Sequence, residues 1–99
     1  MSGTKARMNW KYYGETAYRT AQEAIRAIDK SVENDPENAK QSLLHDWTAL
    51  NLFKMRGVPD PKWIAPMSRF ARLSIGQRDR VSDAIDMRLR AIAPATPTA

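Results

Sequence analysis

Apolar residues recur at helical intervals in two long stretches of the chain and in a third near its end. Trp10, Tyr13, Ala17, Ala21, Ala24, Ile28 and Val32 follow one another at three or four residues. That spacing aligns side chains on one face of an α-helix. Ile25 widens the stripe, while Arg19, Glu23, Arg26, Lys30 and Glu33 fall on the outer face. Gly14 weakens the first turn by roughly 1 kcal/mol relative to alanine, so the helix is expected to begin at Glu15 or Thr16.

The run "ENDPEN" reads as a break and a restart. Asp35 suits an N-cap, Pro36 the first helical position, and Glu37 the positive end of the helix dipole. A second helix is predicted through Leu43, Leu44, Trp47, Leu50 and Phe53, with Gly57 as its C-terminal cap. Two helices joined by so short a link form an antiparallel hairpin by default.

The next stretch, "VPDPKWIAPMSRFARL", breaks the helical pattern with three prolines. Asp60 and Pro61 repeat the cap-and-proline device, so a short helical turn is expected at Pro61. Pro66 lacks an N–H and biases Ala65 away from helical dihedrals, which limits its continuation. A second short helix is expected through Phe70 and Leu73. Ser74 and Gln77 have capping-box spacing. The last helix turns Val81, Ala84, Ile85, Leu89 and Ile92 inward, pairs Asp86 with Arg90, and ends at Pro94. Leu43, Trp47, Leu50, Ile25, Ile28 and Ile85 are the residues on which the core is expected to depend.

The fold class is therefore all-α: a small compact helical domain over residues 1–93, built as an antiparallel hairpin, a proline-broken connector and a C-terminal helix packed across it. Residues 1–9 are expected to be loosely ordered. Residues 94–99 form a Pro/Thr/Ala tail with nothing to bury, expected to be flexible.

Composition narrows the function more than the fold. The 99 residues include four glycines, fourteen alanines and no cysteine, which favours helix over sheet and excludes disulfides and thiolate metal sites. No run approaches the ~18 apolar residues of a membrane span, and no apolar segment follows the N-terminal charges as a secretory signal requires. A cytoplasmic protein without membrane contact is the expectation. Arginine outnumbers lysine ten to six, a bias associated with GC-rich bacterial or phage genomes.

Enzyme motifs are absent: there is no Gly-rich phosphate loop, HExxH, CxxC or Gly-x-Ser-x-Gly. His45, the single histidine, and the Asp79, Asp83 and Asp86 strip have structural readings, since arginines interleave the aspartates. No catalytic residue, cofactor or metal is expected. The last helix carries Arg78, Arg80, Arg88 and Arg90, side chains of the kind that recognition helices place near base edges. From Ser74 onward, however, its net charge is only +1.

The net charge of +5 has one focus. Between Lys54 and Arg72 stand five cations (Lys54, Arg56, Lys62, Arg69, Arg72) and one anion, Asp60, so that +4 lies in nineteen residues. Trp63 and Met67 stand among them. Trp, Met and Arg are enriched at interface hot spots, and loops carry binding more often than the scaffold beneath them. Lys54, Arg56, Lys62, Trp63, Met67, Arg69 and Arg72 are accordingly the candidate partner-binding residues. A larger protein is the leading partner, for a small adaptor, inhibitor or accessory protein of phage or mobile-element type. Nucleic acid is the alternative, with the same cations on phosphates and Trp63 or Phe70 stacking on bases. A structural subunit of a larger assembly is the third reading.

Overall fold

The computed structural model describes residues 17–92. Trp10, Tyr13, Gly14, the expected loose N-terminus and the expected tail lie outside the described residues. Among the described residues there are four α-helices: α1 (Ala21–Asn34), α2 (Ala39–Leu52), α3 (Ile64–Ser68) and α4 (Ile75–Ile92). Single 3-10 turns, Pro36–Asn38 and Pro61–Trp63, precede α2 and α3. No strand occurs among the described residues. The protein is all-α: α1 and α2 form the hairpin, and α4 packs against both.

The first helix starts later than its apolar stripe suggests, because polar groups fix its end. Thr20 is extended (φ −138°, ψ 159°), and its hydroxyl accepts from the Glu23 amide at 3.1 Å. The Glu23 carboxylate accepts from the Arg19 amide at 2.9 Å. The side-chain carbonyl of Gln77, in α4, accepts from the Ala21 amide at 2.9 Å. Two amides of the first turn thus find acceptors that a start at Glu15 or Thr16 would not use. Ser74 caps α4 as its spacing predicts, accepting from the Gln77 amide at 3.2 Å. Gln77 spends its own side chain on α1 instead.

Asp35 both ends α1 and stands at the N-cap of the Pro36–Asn38 turn that leads into α2, with no side-chain bond to a backbone amide. Its amide donates to Ser31 O at 3.1 Å, and its carboxylate accepts from the Asn38 side-chain amide at 3.0 Å. Gly57 does not cap α2. The helix ends at Leu52, and successive turns then place Gly57 at φ +88°, a left-handed conformation that favours glycine.

Leu43, Phe70, Val81 and Ile85 are wholly buried, with Ala24, Ile28, Leu50, Met67 and Leu73 around them. Ile25 and Leu89 pack on the margin. Trp47 is not a core residue; it is 39% exposed, as Leu44 is 42% exposed. From Leu43, a step to Trp47 turns about 40° one way round α2, whereas steps to Leu50 and Phe53 turn the other way. The connector packs on that second flank and draws the buried face towards Ala49. Ile92, expected inward, is 40% exposed.

The connector itself supplies core. Pro66 sits in the first turn of α3, where an amide has no intrahelical acceptor, so the helix accommodates it. Turns then follow, with amides of Phe70, Ala71 and Leu73 each donating three residues back. Side chains three apart in such turns point the same way, which carries Met67, Phe70 and Leu73 into the interior together.

Two carboxylates give the fold opposite pH responses. Asp29 accepts from Arg88 through both carboxylate oxygens, one at 2.9 Å, tying α1 to α4. The Arg88 hydrogen bond holds its pKa below the ordinary carboxylate value. Burial raises that of Asp46, against the lowering effects of Arg69 and His45. As pH falls through Asp46's raised pKa, the native state takes up a proton that the unfolded chain does not yet hold, and stability increases. On further acidification through Asp29's depressed pKa, the contribution of its ion pair is lost; both partners are exposed by about a third or more, so that contribution is small. Thermal melts across this range should show the first rise in the wild type and not in Asp46→Asn.

Candidate functional site

The connector begins where α2 unwinds. The amides of Lys54 and Met55 donate to Asn51 O and Leu52 O at 3.0 and 3.1 Å, continuing the helical sense for a turn. The chain then passes Gly57 and Pro59 to Asp60. There, as its sequence predicts, the Asp60 carboxylate accepts from the Lys62 amide at 3.3 Å and opens the Pro61–Trp63 turn. These bends enclose a cleft of about 280 Å³. Leu52 and Trp63, both packed against the core, lie at its base, and Met55, Val58 and Pro59 complete its apolar lining. Arg56 and Asp60 are its charged members.

Trp63 is neither core nor free surface. It is half-buried, and its ring stacks on His45 of α2 with centroids 4.8 Å apart and planes 29° apart. His45 thereby braces one side of the cleft. Met55 and Val58, by contrast, are 65% and 50% exposed, a large apolar exposure for neighbouring loop residues.

The seven candidate residues do not form one surface. Arg56 and Trp63 line the cleft, whereas Lys62, exposed on the Pro61–Trp63 turn, is not part of the lining. Lys54 turns away to α4, where it pairs with Asp79 at 3.4 Å and lines a separate recess of about 180 Å³. Arg69 lies on the other side of the connector. Its carbonyl accepts from the Tyr18 amide at 2.8 Å, and its charge acts on Asp46 and Tyr18. Arg72 is exposed and lines neither hollow. Met67, expected at the contact surface, is 3% exposed and belongs to the core because its turn points it there with Phe70. It cannot meet a partner.

Met55 and Val58 were the residues that composition did not single out. Their signal was two apolar side chains flanking "RG" in a loop with no helical stripe to join.

Three of the four arginines of α4 are engaged within the fold. The Arg78 guanidinium lies 4.1 Å from the Phe53 ring centroid and donates to Leu73 O at 2.7 Å and Phe70 O at 3.4 Å. Burial lowers its pKa from the usual arginine value. Arg90 pairs with Asp86 at 3.0 Å, and Arg88 with Asp29. Among the described residues, no group of three His, Asp or Glu side chains converges to hold a metal. None of their helices is long and apolar enough to cross a membrane.

No protein-family model, curated protein or solved structure matches the chain.

Proposed function

We propose that the protein is a non-enzymatic binding module that docks on a larger protein through the Leu52–Trp63 part of the connector. The observation that carries this reading is the exposure of Met55 and Val58 around a cleft whose base, Leu52 and Trp63, is fixed against the core. Anchoring residues at interfaces are desolvated in such hollows, with polar and charged groups at the rim. A base already in place also reduces the ordering entropy lost on binding.

Nucleic acid is the less well supported partner. Contact with single strands draws on aromatic faces open to bases, but Phe70 is fully buried and Trp63 gives one face to His45. Of the five connector cations, Lys54 is already paired with Asp79.

Affinity capture from the native host, with and without nuclease, tests the reading. A partner that survives nuclease and is lost with Met55→Asp is the expected result. A partner that disappears with nuclease, and whose affinity falls log-linearly with salt as counterions are released, would replace this reading with the nucleic-acid one.

A further inference from the structure

We infer that the connector cleft receives one bulky apolar side chain from an acidic peptide segment of the partner; this rests on the docking function proposed above. The volume sets the first limit. At about 280 Å³, the cleft lies just below the ~300–1,000 Å³ of small-molecule and cofactor sites. It suits a single side chain better than a cofactor. The lining sets the second. Leu52, Met55, Val58, Pro59 and Trp63 are apolar, so the group that enters must be apolar too. Met55 adds an unbranched thioether that adapts to the shape of what it meets.

Charge defines what flanks that side chain. Arg56 lines the cleft and has no ion-pair partner among the described residues; the same holds for Lys62. The one carboxylate in the lining, Asp60, is turned to the Lys62 amide. From Met55 to Trp63 the two cations outnumber the one carboxylate, which leaves this part of the connector with net +1. Carboxylates flanking an inserted apolar group would meet Arg56 in the lining and Lys62 on the adjoining Pro61–Trp63 turn. An anionic lipid surface offers the same two chemistries. It is better matched by apolar groups that project outward, however, whereas these converge on a hollow around the half-buried Trp63.

Selection of random twelve-residue peptides on the full-length protein tests this directly. Peptides with net negative charge and one Leu, Ile, Met or Phe between acidic residues are expected to be enriched. Their affinity, followed by fluorescence polarisation, should fall at least tenfold for Arg56→Glu and for Val58→Lys. Both side chains are exposed, so circular dichroism melts should match the wild type. Enriched peptides without an acidic bias, or binding unaffected by both substitutions, would overturn the inference while a nuclease-resistant host partner still upheld the docking function. Binding to phosphatidylserine vesicles with no peptide enriched would overturn both. Failure of peptides and vesicles alike would overturn the inference, leaving host capture to decide the docking function separately.

Discussion

Ile85→Ala should cost about 2–5 kcal/mol, whereas Ile75→Ala, on the same helix, should stay within about 0.5 kcal/mol of the wild type. The two isoleucines differ in environment alone: Ile85 is 0% exposed and Ile75 is 71% exposed. Ile85 lies in the core where α4 meets α1 and α2, so truncation leaves a cavity bounded by elements that cannot collapse onto it freely. The loss is a large share of the about 5–15 kcal/mol that stabilises a whole domain. With a urea slope of about 1 kcal/mol per molar, the unfolding midpoint should drop by roughly 2 M or more. Equal midpoints for the two variants would mean that α4 presents a different face.

Arg78→Ala should be the next most damaging change, at about 2–3 kcal/mol. Its guanidinium satisfies two carbonyls at the end of the connector and covers the Phe53 ring. Hydrogen bonds to a charged donor contribute about 1.5–3 kcal/mol, and a cation over an aromatic face about 0.5–1 kcal/mol. Arg78→Lys should recover only part of this, because one ammonium does not reproduce a planar fork lying over a ring. Arg80 is exposed two residues further on, so Arg80→Ala should leave the midpoint within about 0.5 kcal/mol of the wild type. Similar denaturation curves for the Arg78 and Arg80 alanine variants would remove Arg78 from the framework.

The contrast between these arginines explains what could be read from sequence. Spacing identified Ile28, Leu43, Leu50 and Ile85 as inward, and all four are buried. A helical stripe does not say how far the buried arc extends to either side, and Trp47 falls beyond it. That limit is set by the connector, whose course no periodicity in α2 records. Met67 was misread for a related reason: a methionine among cations and prolines looks like surface until the three-residue turns carry it inward. Arg56 and Trp63, singled out by residue type, both line the cleft. Their separation from Arg69 and Arg72 was not legible in the same way, since opposite sides of a connector are neighbours in sequence.

The Gln77 side chain that closes the beginning of α1 also places a constraint on the order of assembly. Ala21 and Gln77 are 56 residues apart, and contacts of long sequence separation form only after their loop-closure entropy has been overcome. During synthesis α1 leaves the ribosome well before the Gln77 side chain exists. Thr20 and Glu23 can restrain its opening turn locally, but the Ala21 amide must remain with water until the start of α4 arrives. The opening turn of α1 is thus completed by a segment made more than fifty residues after it.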